Sequence, residues 1–187
     1  TSSTSTADIQ NALLYQSAVA PYVTGGLTGG LITSVDAGTG ANAMSIAQLN
    51  ALAAGAANLT ANSITGDVNI SNAMSSDDLA ALLPKVSESA NVTIDATGMS
   101  GAYLTALVAN DSKVDSIVNL TLTSAVSAAN IGTLLNEATD AIVVATGMGH
   151  TEGNDQLNAV AAKLAKVAAN GIRGTVNLSN STDNLDS

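Results

Sequence analysis

Val68-Asn69-Ile70-Ser71-Asn72-Ala73-Met74-Ser75-Ser76-Asp77-Asp78-Leu79-Ala80-Ala81-Leu82 changes its periodicity once, and that change decides the fold class. From Val68 to Ser71 apolar and polar residues alternate, as in a half-buried strand. From Leu79 the apolar residues recur three apart, as on one face of a helix. Ser75 stands four residues ahead of Leu79, where its oxygen can accept from a free amide of the first helical turn. The stretch reads strand, short turn, capped helix.

The same order recurs along the chain. The apolar pairs that open successive helices are Leu49/Leu52, Leu79/Leu82, Leu104/Leu107, Ile131/Leu134 and Leu157/Val160. Their first members are spaced 79 − 49 = 30, 104 − 79 = 25, 131 − 104 = 27 and 157 − 131 = 26 residues. Ser45, Ser75, Ser100 and Ser127 precede the first four pairs as N-caps, and Gly153-Asn154 precedes the fifth. Strand-like runs lie between them: Ile32–Asp36, Val68–Ser71, Val92–Asp95, Leu120–Thr123, Ile142–Val144 and Val176–Ser179. A finer period is also present, because Ala96-Thr97-Gly98-Met99 returns as Ala145-Thr146-Gly147-Met148, 145 − 96 = 49 residues later. Two kinds of turn therefore alternate, one with Ser-Asn or Thr-Ser and one with Thr-Gly.

Near-copies of similar length can stack with a constant small rotation, whereas a doubly wound sheet needs individually shaped units. The expected fold is an α/β solenoid: one parallel sheet of about six short strands backed by one row of helices, shaped like a leucine-rich-repeat arc although that consensus is not present. Inward strand positions are expected at Val68/Ile70, Val92/Ile94, Leu120/Leu122 and Val176/Leu178, with Asn69, Thr93, Thr121 and Asn177 outward as a polar ladder. The expected division is an N-terminal helix and Gly-rich linker over 1–31 and a solenoid of about 26-residue repeats over 32–187 with an incomplete last repeat. The units Ser127–Leu135 and Ala96–Leu107 resemble α/β repeats of very large bacterial cell-surface proteins, adhesin-like or surface-layer-like. That resemblance implies a structural or adhesive role and carries over no catalytic residue.

Composition narrows the function classes. The chain has 187 residues, 5 Lys+Arg against 15 Asp+Glu and a net charge of −10. It is 46% hydrophobic yet has no Phe or Trp and only Tyr15, Tyr22 and Tyr103, so its interior is built from Ala, Leu, Ile and Val. Such residues fill a thin, repetitive core better than a wide one. The absence of Cys excludes disulfides, thiolate zinc sites and cysteine nucleophiles, and one His excludes a multi-histidine metal site. A pI near 4.1 argues against nucleic acid or an anionic membrane as partner. No apolar run reaches the length of a membrane span. Thr1–Thr6 is neither basic nor apolar, so the chain reads as a mature form or a fragment.

Individual residues with chemical potential have plainer alternatives. Ser100 in Gly98-Met99-Ser100-Gly101 sits where a hydrolase nucleophile would, but the Gly-x-Ser-x-Gly spacing fails and Ser100 is the register-mate of the other caps. His150, with Glu152 and Asp155 nearby, lies in the one irregular turn, a candidate metal or acid–base group and a candidate contact site. Asp77-Asp78 fall in a first helical turn, where carboxylates offset the helix dipole. Asp36, Asp67, Asp95, Asp115 and Asp140 could collect calcium if they stack, although no EF-hand-like loop is present. Gly25–Gly30 lacks the Lys-Ser/Thr of a phosphate loop and reads as a turn. Sequons at Asn58, Asn69, Asn91, Asn119, Asn177 and Asn180 serve the polar ladder equally well.

No reaction or resident cofactor is expected, so the chain is read as a non-enzyme. The leading expectation is an extracellular or cell-surface structural protein, a filament, surface-layer or adhesin subunit that self-associates. The alternative is a calcium- or glycan-binding surface module excised from a larger adhesin. Ser5–Leu14 resembles Ser127–Leu135, and Ser181–Leu185 resembles the opening of the Ser75 unit. Open ends of this kind are expected to complement each other head to tail as a homopolymer.

Overall fold

The computed structural model describes residues 27–28, 31–151 and 154–176. The expected N-terminal helix and the strand positions Asn177–Ser179 lie outside them. Among the described residues the chain is mixed α/β, with three small parallel sheets, five α-helices and no closed barrel. It divides into two compact bodies, one running up to Ile94 and including Ser112–Asp115, the other holding the rest.

In the first body, β1 (Leu27–Thr28) and β2 (Leu31–Ile32) form an antiparallel hairpin, and β3 (Val35–Asp36) pairs in parallel with β4 (Ile64–Thr65) in the register Val35↔Ile64. Helix α1 (Ile46–Ala54) lies between them in the chain. β5 (Asp67–Ser71), α2 (Ser76–Leu82) and β6 (Asn91–Asp95) follow, with β5 beside β6 and α1 packed on α2. In the second body come α3 (Gly101–Val108), β7 (Ser116–Val118), β8 (Thr121–Leu122), α4 (Ala128–Glu137) and β9 (Ala141–Val144). A hairpin of β10 (His150–Thr151) and β11 (Asn154–Asp155) leads to α5 (Gln156–Ala161) and β12 (Val167–Arg173). β9 lies in parallel between β8 and β12, and α4 packs on both α3 and α5.

The capped helix starts are where the serines place them. The hydroxyls of Ser45, Ser75, Ser100 and Ser127 accept from the amides of Gln48, Asp78, Tyr103 and Asn130 at 3.4, 3.0, 3.2 and 3.3 Å. Gln48 completes a capping box by accepting from the Ser45 amide at 2.8 Å. Met44, Met74, Met99 and Val126 directly precede these caps, five residues ahead of Leu49, Leu79, Leu104 and Ile131. This is the spacing of a hydrophobic staple, and all but the half-buried Met99 are buried. The expected inward residues Val68, Ile70, Val92, Ile94, Leu120 and Leu122 are all buried, as are the apolar pairs on the first four helices. Asn69 and Thr121 face solvent, and Thr93 is half-buried.

Several expectations are corrected. The parallel strands form three small sheets, not one, and two antiparallel hairpins are added to them. The physical reason is a left-handed residue inside what would be a single strand. Gly66 (φ 86°) separates β4 from β5, and Asn119 (φ 57°) lies between β7 and β8. A left-handed residue turns the strand and interrupts its ladder. Asn170 (φ 60°) does the same within the bulge of β12. A strand that the sequence did not announce, β12, runs over Val167–Arg173, and of the expected Val176–Ser179 run only Val176 is described, where it is exposed. The fifth helix starts close to Asn154 as expected, with Asp155 as its cap, but its Leu157 is only half-buried.

Replacing Ser127 with Ala is expected to lower unfolding free energy by about 0.5–2 kcal/mol, read from urea denaturation. Gly66→Ala should cost more than that range. A Cβ there would lie 2.5 Å from the Gly38 carbonyl oxygen, on a backbone that L-residues resist. A Gly66→Ala protein as stable as the parent would contradict this account of why the strands divide.

Candidate functional site

The sequence places its chemistry in the turns from strand to helix, and the structure gives each of those turns a hydrogen-bonding role. The last residue of a strand, or its neighbour, accepts from the amide two residues on: Asp36 from Gly38 at 3.0 Å, Ser71 from Ala73 at 3.4 Å, Asp95 from Thr97 at 3.1 Å and Thr123 from Ala125 at 3.3 Å. These are Asx- and ST-turns, in which a short polar side chain substitutes for the missing ladder partner. Met74, Met99 and Val126 then donate their amides to the residue three back, closing the last three of these turns, and Met148 does the same after β9.

Two of the carboxylates also hold an asparagine from further along the chain. Asn91 donates to Asp67 at 3.3 Å and Asn119 donates to Asp95 at 3.0 Å, each 24 residues on. The Thr97 hydroxyl at 2.6 Å, then Asn119, then the Thr97 amide hold the Asp95 carboxyl below the usual carboxylate range, against a small opposing effect of burial. Asp67 additionally accepts from the Gly40 amide at 2.7 Å, and Asp115 from the Val92 amide at 2.7 Å. Asp78 accepts from the Ser75 hydroxyl at 2.8 Å at the start of α2, and Asp140 is exposed. Among the described residues no three His, Cys, Asp or Glu side chains gather at one point. The five aspartates proposed as calcium ligands are thus spread along successive turns.

Ser100 is a cap, and the glycine after it has a packing reason. A Cβ on Gly101 would approach that of Ala125 to 2.9 Å, so the start of α3 lies against the Thr123–Val126 turn. The irregular turn at His150 is a hairpin: His150 pairs through its backbone with Asp155, Glu152 lies outside the described residues, and Asp155 caps α5 by accepting from the Asn158 amide at 3.0 Å. Leu27–Thr28 of the glycine-rich stretch pair with Leu31–Ile32 in the β1–β2 hairpin. Asn91 and Asn119, read as sequons, bond to aspartates through their side-chain amides.

Two features carry weight that the sequence did not reveal. The first is Gln156, which is buried at the base of the β10–β11 hairpin. Its carbonyl accepts from the Gly149 amide at 2.7 Å, while its amide donates to the Ser124 carbonyl at 3.1 Å and to that of Val126. One side chain therefore pins the hairpin to the preceding turn. The second is a set of lysines that each close a 3-10 turn: Lys85, Lys113 and Lys166. Lys85 donates to the Leu59 carbonyl at 2.9 Å, Lys113 to Asn62 Oδ1 at 2.8 Å and Lys166 to the Asn136 carbonyl at 2.8 Å. Three of the chain's five cations thus clamp an earlier exit loop. The sequence signal was the pair Lys-Val, at Lys85-Val86, Lys113-Val114 and Lys166-Val167.

No protein-family description, no curated protein and no solved structure matches the chain. Among the described residues, no helix is long and apolar enough to cross a membrane.

Two measurements test the site. Because Asp95 titrates at lower pH folded than unfolded, its contribution is present above the unfolded carboxylate pKa and is lost as pH falls through the folded value. Asp95→Asn should therefore be less stable than the parent at pH 7, with the gap closing below the usual carboxylate range. A gap that persists undiminished in acid would refute the assignment. Gln156→Ala, which leaves a buried amide and two carbonyls unpartnered, should cost on the order of 1–3 kcal/mol by denaturant titration.

Proposed function

We propose that this chain is an extracellular structural module that associates head to tail with copies of itself, and that its repeats stack as an α/β solenoid. The observation that carries this reading is the recurrence of one hydrogen-bonded unit. A strand ends in an Asx- or ST-turn, an apolar residue follows, and a serine caps the next helix at Ser45, Ser75, Ser100 and Ser127. Units of this kind bury their apolar faces on neighbours, which favours extension by further copies. The polar groups of the turns are taken up in holding neighbouring segments, as in Asp67 with Asn91 and Lys85 with Leu59. A scaffold needs that use of polar side chains; a reaction centre needs them converging on a substrate. Acidic composition without cysteine fits a cell-surface or secreted setting.

Sedimentation velocity over a wide concentration range, with electron microscopy of the concentrated protein, tests the reading. Concentration-dependent growth into open-ended particles is expected, the same in calcium as in chelator. A strictly monomeric chain at every concentration would overturn it.

A further inference from the structure

The β8-β9-β12 sheet carries one apolar row across its strands, in the register Leu122↔Val143↔Ile172. Leu122 and Val143 are fully buried, but Ile172 is 46% exposed. The row runs from core to surface within three strands. Beside Ile172 stands Leu164, 55% exposed, at the start of the 3-10 turn that leads into β12. The equivalent residue of the earlier Lys-Val turn, Leu83, has no exposure at all. Leu164, Val167 and the bulge through Ile172 wall an open hollow of about 450 Å³. Among the described residues, a surface that repeats bury elsewhere is therefore bare at β12.

Charge indicates what covers it. Residues 156–176 hold Lys163, Lys166 and Arg173 and no acid, a net +3 in a chain of net −10. Residues 1–84 hold Asp8, Asp36, Asp67, Asp77 and Asp78 and no Lys or Arg, a net 0 − 5 = −5. Asp36 and Asp77 are exposed, and so is Arg173. Residues 85–155 are acidic as well, at 2 − 8 = −6, but they carry Lys85 and Lys113, so the first 84 residues are the part of the chain that is acidic and free of cations.

We propose that the β12 face, with Leu164 and Ile172 as its apolar anchors and Arg173 at its rim, is the acceptor surface for the acidic, cation-free N-terminal part of a second copy of this chain. This rests on the head-to-tail reading above and adds to it which surface receives the neighbour. The interface is heterologous, so the two end copies of an assembly each keep one free face, and growth stays open unless the rotation per copy closes a ring. The apolar anchors slow dissociation, and the opposite charges speed encounter and fix orientation.

The test is sedimentation velocity of the full chain with three variants: Leu164→Asp combined with Ile172→Asp, Arg173→Glu alone, and Lys163→Glu alone. All four positions are at least partly exposed, so circular dichroism should show folded proteins. The double variant is expected to stay monomeric where the parent assembles, its association weakened by about tenfold or more. Each charge variant, like added salt, should slow assembly. Because the double variant keeps its N-terminal surface, adding it to the parent should shorten the parent's assemblies. Four outcomes would overturn the proposal. If the double variant assembles like the parent, head-to-tail association stands but uses another surface. If it assembles normally but melts at lower temperature, the β12 face is covered within its own chain. If it neither assembles nor enters parent assemblies, like surfaces pair with like. If the parent never associates, the head-to-tail reading fails as well.

Discussion

Each described passage from strand to helix leaves backbone amides without partners, and short polar side chains take them up. At Ser127 the hydroxyl accepts from Asn130, while four residues earlier Thr123 accepts from Ala125 and the Val126 amide returns to the Thr123 carbonyl. Three bonds settle the turn before any long-range packing is considered. With strands of two to seven residues and helices of six to ten, little else could fix where each element begins. A capped start also sets the phase of the helix. With Ser at the cap, residues four and seven positions on face the same way, which is why Ile131 and Leu134 are both buried.

The interior reinforces that constraint. Without Phe or Trp, the core is filled by aliphatic residues, methionines and Tyr103, and by close approach of backbone to backbone. The contact of Gly101 with the Ala125 turn is one result, and the cost of a side chain there would be a displaced helix start. Close approach also brings carbonyls within reach of cations from later turns. Lys85 and Lys166 reach back 26 and 30 residues to a carbonyl of an exit loop, so each cation adds a link between successive segments. Carboxylates act the same way from the strand ends, and Asp95 with three donors is the fullest case.

Polar groups so occupied leave few side chains pointing at a common empty space. What the second body does leave bare is apolar: the row that starts buried at Leu122 and emerges at Ile172. An open parallel edge beside exposed aliphatic residues is a template for further pairing unless something covers it. The cations gathered between Gln156 and Val176 give that edge a sign opposite to most of the molecule.

The sequence by itself determined the local units. Period-two runs, spacing of three to four and a serine at the junction are short-range signals, so Ser45, Ser75, Ser100 and Ser127 and the inward residues from Val68 to Leu122 could be read directly. It did not determine how the strands would be shared among sheets, because that depends on the handedness of single residues. Gly66 stands between β4 and β5 and Asn119 between β7 and β8, each with a left-handed backbone. Nor was β12 legible, since Val167-Ala168-Ala169-Asn170-Gly171-Ile172-Arg173 has little strand propensity and is held by pairing with β9 around a bulge. The roles of Gln156, Asn91 and the clamping lysines were decided only in three dimensions. Each bonds to a partner some two dozen or more residues away, and no pattern within one unit reports such a distance.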